Sequence, residues 1–214
     1  MLLPVVIALA VGYLLGALPF GYLVARAHAV DIFKAGSGSS GATNVKRVLG
    51  AKAGNTVFAL DVLKGVAAAG LWRIVEFKSA IEPGNLDPNS VTPLVGLVGA
   101  LLGHSFSCFT RFKGGKGVAT GAGGLLVLLP LATLIAGAAW IIVFYASRYV
   151  SLASIVASIV LPLAAWLQQQ PVLLIGFAAL VTVFVVVRHL SNIRRLIDGT
   201  ENRFARKPRE TPRS

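Results

Sequence analysis

Long apolar runs broken by short polar islands set the pattern of this chain. Residues 2–25 and 54–75 are each a single run of span length, since crossing a bilayer core takes about 20 apolar residues. The run 92–102 is short alone and reaches span length when "GHSFSCF" is included, to residue 109. The stretch 118–144 is too long for one span and carries Pro130 in its middle. It is read as two short or re-entrant helices, 117–129 and 131–147. Spans at 151–167 and 171–187 follow, separated by "QQQP". Ten-residue alternating segments are absent, which excludes an outer-membrane barrel. The predicted fold is an all-α integral membrane protein of about seven transmembrane helices.

Charge orients these spans. With the N-terminus outside, the inner segments are 26–52, 103–117, 148–150 and 188–214. They hold five, three, one and eight Lys+Arg, which is 17 of the 20 in the chain. That asymmetry obeys the positive-inside rule and puts the C-terminus in the cytoplasm. Residues 1–199 are expected to form one transmembrane catalytic domain, and 200–214 a basic, disordered cytoplasmic tail lying near lipid headgroups. The first run lacks a basic n-region and exceeds a signal-peptide core, so it is read as an uncleaved span. The expected location is the cell's inner membrane, multi-pass, with the polar islands facing the cytoplasm. Small-residue pairs such as "GYLLG" at 12–16 fit packing within one chain, and the protein is read as a monomer.

Composition narrows the chemistry. The chain is 56% hydrophobic and carries a net charge of +12. Its basic residues sit in loops beside a membrane with no interleaved aromatics, so nucleic acid is not an expected partner. Cys108 is the only cysteine, and three histidines with eight acidic residues make a metal site or cofactor cluster unexpected.

Three polar islands then stand out, all on the inner side. "GSGSSGATNVKR" (36–47) spaces Gly36, Gly38 and Gly41 closely, which lets backbone amides approach an anion. Ser37, Thr43 and Asn44 add donors, and Arg47 can grip phosphate through two N–H groups. "GHSFSCFTRFKGGKG" (103–117) looks like a P-loop but lacks the first Gly and the final Ser/Thr, which excludes a nucleotide site. What is left is His104 and a glycine-flanked pair, Lys113 and Lys116 around Gly114 and Gly115, opening a helix at Gly117. In "RHLSNIRRLIDGTE" (188–201), Arg188, Asn192 and Arg195 fall on one helical face, with His189 beside Asn192 and Glu201 at the end. Asp61 and Lys64 form a further i, i+3 pair inside the second span, either paired structurally or lining a polar cavity.

Anion sites embedded in lipid suggest a reaction between a polar phosphorylated molecule and an acyl-bearing one. No Ser/His/Asp triad or nucleophile elbow is discernible, so positioning and charge neutralisation are the available tools, with His104 or His189 a candidate base. A small anion or phosphate transporter is the alternative. It predicts polar residues on both sides and inverted repeats, and neither is evident.

Taken together, "GSGSSGATNVKR", "DVLKG", "GHSFSCFTRFKGGKGVAT" and "RHLSNIRRLIDGTE" resemble the signature segments of the bacterial membrane glycerol-3-phosphate acyltransferases that use acyl-phosphate. The likeness covers nearly the whole chain and departs at Ser39–Ser40, where the family usually carries Asn followed by Pro or another residue. The resemblance implies acyl transfer from acyl-phosphate to the 1-hydroxyl of sn-glycerol 3-phosphate, giving lysophosphatidic acid and phosphate. It implies Ser37, Arg47, Lys116, His189 and Asn192 as the catalytic set. Ser37 and the loop amides would hold a phosphate, Arg47 and Lys116 would neutralise charge, and His189 with Asn192 would orient glycerol phosphate. The H-x-x-x-x-D motif of the soluble-domain acyltransferases is missing, because Phe33, Phe109 and Arg194 stand five residues after the three histidines.

Overall fold

The structure is a computed structural model and describes residues 2–79 and 91–204. These residues form ten α-helices: α1 Leu2–Ala17, α2 Phe20–Ala27, α3 Ala42–Leu49, α4 Ala51–Ser79, α5 Thr92–Ser105, α6 Val118–Leu128, α7 Pro130–Ser147, α8 Val150–Leu167, α9 Val172–Arg188 and α10 Leu190–Ile197. A single 3-10 turn at Cys108–Thr110 follows α5. Most of the expected outer segment 77–91 and the tail beyond 204 lie outside the described residues.

The helices answer to the apolar runs, with one difference. The run 118–144 divides at Pro130 as expected, into α6 and α7. The first run, however, is not one helix. It breaks at Pro19, whose missing N–H cannot continue the ladder, into α1 and α2. The carbonyls freed at the break find distant donors: Lys64 Nζ reaches the Leu18 oxygen at 3.1 Å and Ser107 Oγ the Ala17 oxygen at 2.6 Å. Non-helical backbone at membrane depth needs that kind of satisfaction.

By length and composition four segments can cross a bilayer: Leu2–Ala27, Thr92–Thr110, Pro130–Ser147 and Val150–Leu167. The pair α9 and α10, bent by 59° at its break, makes a fifth. Helix α4, which carries Asp61 and Lys64, falls outside that set.

Small residues bring the helices together. A Cβ on Gly12 would stand 2.0 Å from the Gly96 oxygen, and one on Gly103 would stand 2.1 Å from the Tyr13 oxygen. Thus α1 and α5 touch backbone to backbone, and "GYLLG" packs within the chain. Helices α4 and α6 meet in the same way, with Gly65 against Thr120 and Gly123 against Val62. In lipid, close packing of this kind replaces the hydrophobic effect as the force between helices. A buried layer from α4 to α9, including Leu97, Leu125, Leu129 and Val181, fills the middle of the bundle.

Candidate active site

The first island is a folded loop organised around Asn44. This side chain is 2% exposed, and its Nδ2 donates to the Ser39 oxygen at 2.9 Å and the Ala35 oxygen at 3.0 Å. Its Oδ1 accepts the Ser37 N–H at 2.8 Å. Gly36 permits this because its φ is +58° and a Cβ would lie 2.2 Å from Asn44 Oδ1. Two expectations are corrected here. Asn44 braces the loop from within, because its amide hydrogens are already committed. The amides of Ser37, Gly38 and Gly41 are likewise spent, on Asn44, Ala35 and Ser39, so they do not form an open anion nest. Ser37, Gly41, Thr43, Asn44 and Arg47 line the large cavity, whereas Gly36 and Gly38 do not reach it.

The second island is a strap folded back beneath α5. The Gly115 N–H donates to the His104 oxygen at 3.1 Å, and Arg188 Nη2 donates to the Gly115 oxygen at 2.9 Å. Both glycines are close-approach positions: a Cβ on Gly114 would meet the His104 oxygen at 2.1 Å, and one on Gly115 would meet His104 Nε2 at 2.1 Å. Behind them Asp61 Oδ1 lies 2.9 Å from Lys64 Nζ and 3.5 Å from His104 Nδ1. All three are buried. The pair in α4 is therefore structural in its bonding and continuous with the strap. Ser39, at the departure from the family pattern, donates from Oγ to the Gly114 oxygen at 3.5 Å and so ties the first island to the second. Gly117 has a φ of +81° and caps α6, which begins at Val118. Of the two lysines, Lys116 faces the large cavity. Lys113 and Gly114 instead line a water-sized void of about 10 Å³ near Asp61.

The third island is not one helical face. The chain bends at His189, whose φ of −108° and ψ of 7° separate α9 from α10. Arg188 therefore turns to the Gly115 oxygen and the Phe106 ring, while Asn192 and Arg195 turn to Glu201. Nδ1 of His189 lies 2.7 Å from the Val185 oxygen, which assigns the proton to Nδ1 and leaves Nε2 as an acceptor. Glu201 is 7% exposed and accepts from Asn192 at 2.7 Å, Arg195 at 2.8 Å and Ser151 at 2.9 Å. It thus anchors other side chains while lining the cavity. Residues 201–204, the first part of the expected tail, pack on the site. Burial acts to raise the Glu201 carboxyl, but its hydrogen bonds from Asn192, Arg195 and Ser151 hold it below the usual range.

These pieces line one cavity of about 600 Å³, within the range of about 300–1,000 Å³ common for ligand pockets. Its polar lining includes Ser37, Thr43, Arg47, His104, Lys116, His189, Asn192, Arg195 and Glu201. Phe58, Trp140, Ile141, Phe144, Tyr145 and Phe204 are its large apolar lining, with Trp140 stacked on Phe144 at 5.0 Å. Lys116 donates to Asn192 Oδ1, so Glu201, Asn192 and Lys116 are joined in series. Burial lowers the Lys116 ammonium to about 8; Glu201 opposes this, and the guanidiniums of Arg195, Arg47 and Arg188 add to it. Lys46, Arg47, Lys116 and Arg195 thus outnumber the two carboxylates of this lining, Asp61 and Glu201, and Asp61 is already paired with Lys64. Sequence reasoning missed the aromatic wall, Ser151 and the residues after Glu201. "WIIVFY" in α7 was the available signal for the wall, and for the others there was none.

Residues 6–199 match the family model described as glycerol-3-phosphate acyltransferase. The chain belongs to the glycerol-3-phosphate acyltransferase family. Relatives of that name include one from Fusobacterium nucleatum, 46% identical over 193 residues, covering 90% of this chain and 94% of the relative. Another, from Geobacter sulfurreducens, is 44% identical over 195 residues, covering 91% and 95%. Among solved structures, the glycerol 3-phosphate form of PlsY (YgiH), an integral membrane glycerol 3-phosphate acyltransferase, aligns with a TM-score of 0.84 and 37% identity over 94% of this chain and 96% of that one. Its lysophosphatidic acid form aligns with a TM-score of 0.82 at the same identity, over 94% and 95%. As a glycerol-3-phosphate acyltransferase family member, the chain is an all-helical integral membrane acyltransferase of phospholipid biosynthesis.

Proposed function

We propose that this acyltransferase moves a fatty acyl group from acyl-phosphate to the 1-hydroxyl of sn-glycerol 3-phosphate, with no acyl-enzyme and no cofactor. The observation that carries the reading is the cavity itself: Arg47, Lys116 and Arg195 line it together with Phe58, Trp140, Phe144 and Tyr145, so cations and aromatic side chains share one space. Both substrates bring phosphate of about −1.5 to −2 charge, which matches the excess of cations. The two forms of the PlsY neighbour support glycerol 3-phosphate as acceptor and lysophosphatidic acid as product.

In this mechanism the acceptor's hydroxyl oxygen attacks the acyl carbonyl carbon, and the bond from that carbon to the phosphate oxygen breaks. The leaving phosphate takes the hydroxyl proton. Ser37 and Thr43 donate to one phosphate, and Arg47 and Lys116 offset the charge that grows on the leaving oxygen. His189 Nε2 accepts from a glycerol hydroxyl and orients it. His104 is the second candidate for that contact. Asn192 positions Lys116.

The proposal includes seven spans with the N-terminus outside, a cytoplasmic site in the inner membrane and a single-chain enzyme. The Lys+Arg asymmetry supports that orientation. Purified protein in lipid, given acyl-phosphate and labelled glycerol 3-phosphate, should yield lysophosphatidic acid and inorganic phosphate in equal amounts. Product formed only from coenzyme A or carrier-protein donors would refute the donor assignment.

A further inference from the structure

Arg47 is half-buried, attracted by the carboxylate of Glu201 and repelled by the guanidinium of Arg195. Charge at that range does not fix which way its N–H fork points. Two direct contacts do, and both come from the segment just beyond the family match, which ends at residue 199. Arg47 Nη2 donates to the Asn202 oxygen at 3.4 Å, and its guanidinium carbon lies 5.1 Å from the centre of the Phe204 ring.

Phe204 is itself held firmly. Its N–H donates to the Arg148 oxygen at 3.1 Å, and its ring meets that of Phe144 edge-on at 5.9 Å. Next to it, Arg203 Nε donates to the Ser147 oxygen at 3.1 Å. Residues 201–204 are thus stapled to the α7–α8 turn while reaching across to α3. The chemistry of the holder is informative. A carboxylate here would occupy the N–H fork that a phosphate needs. An aromatic ring attracts the guanidinium through its π face and leaves donors on the guanidinium edge free.

We propose that Phe204, assisted by the Asn202 carbonyl, is a positioning residue that keeps Arg47 over the cavity with donors open to a substrate phosphate. The inference rests on the reading of this cavity as a phosphate site. Phe204→Leu keeps an apolar side chain and removes the π face, whereas Phe204→Trp keeps that face. Both full-length variants are compared with the parent in lipid for turnover, with acyl-phosphate and with coenzyme A donors, and for glycerol 3-phosphate binding by calorimetry.

F204L should lose about fivefold or more in kcat/KM, while F204W stays within about twofold of the parent. The two should melt at the same temperature. The proposal is overturned if F204L matches the parent, or if F204W falls as far as F204L. A parent active only with coenzyme A donors would refute the donor assignment and leave the leucine-to-tryptophan ratio as a valid test. A parent inactive with every donor would refute the enzyme reading, and the binding ratio would then decide the role of Phe204.

Discussion

Asn192 Nδ2 donates to Glu201 Oε1 at 2.7 Å, both residues being buried, and Asn192 Oδ1 in turn receives Lys116. This series places a carboxylate at the root of the site and an ammonium at its tip. Glu201→Gln should release Arg195 and Asn192 together, leaving the converged cations without a counter-charge. The Arg195 side chain is 36% exposed, so solvent screens the charge left behind; thermal unfolding should drop and activity should fall at least tenfold. Ser151→Ala removes one donor from the same carboxylate and should cost about 1.5–3 kcal/mol, the range for a hydrogen bond to a charged group.

Lys116 sets the alkaline limit. Its ammonium titrates at about 8, chiefly because it is buried. The charged form is present below that value and is lost above it, and only the charged form binds a phosphate. The rate at low substrate should therefore fall as pH rises through about 8. Bound phosphate favours the protonated lysine, so the rate at saturation should hold to higher pH. Lys116→Arg should remove the alkaline limb, since arginine stays charged, while lowering the maximum. A pH profile of kcat/KM and kcat for both proteins checks each part.

The helices were legible because lipid demands long apolar runs, and Pro130 marked a real division. Pro19 did not announce its break: the donors that receive the freed carbonyls, Lys64 and Ser107, lie on distant segments. The convergence of three islands could be read from the placement of Lys and Arg. Which side chains would face a ligand could not. Asn44 looks like a donor and proves to be a brace, and Arg188 leaves its expected face because the chain bends at His189. Phe204 carries no pattern at all, since a single aromatic in a polar tail looks like any other.

Asp61 and Lys64 offer a test of charge burial. Asp61→Asn should leave Lys64 uncompensated and destabilise the protein by about 3–5 kcal/mol. Replacing both, as Asp61→Asn with Lys64→Met, removes the stranded charge and should recover much of the melting temperature. Activity should recover less, because His104 still lacks its carboxylate partner at 3.5 Å. Melting curves beside turnover for the single and double variants separate the two effects.

The glycine strap predicts an order of severity. Alanine at Gly114 would place a Cβ 2.1 Å from the backbone oxygen of His104, which cannot move without shifting α5. Alanine at Gly115 meets the His104 ring first, at 2.1 Å from Nε2, and a ring can rotate away. Gly114→Ala should therefore fold poorly, costing several-fold in yield of monodisperse protein. Gly115→Ala should fold but lose activity, as displaced His104 or a shifted strap carries Lys116 off Asn192. Adding His104→Ala to Gly115→Ala makes room for the new methyl group and should restore Lys116 to its place. The alkaline limb of the pH profile should then return to about 8 in the double variant. If the double variant instead keeps the profile of Gly115→Ala, the clash with His104 is not what moves the strap.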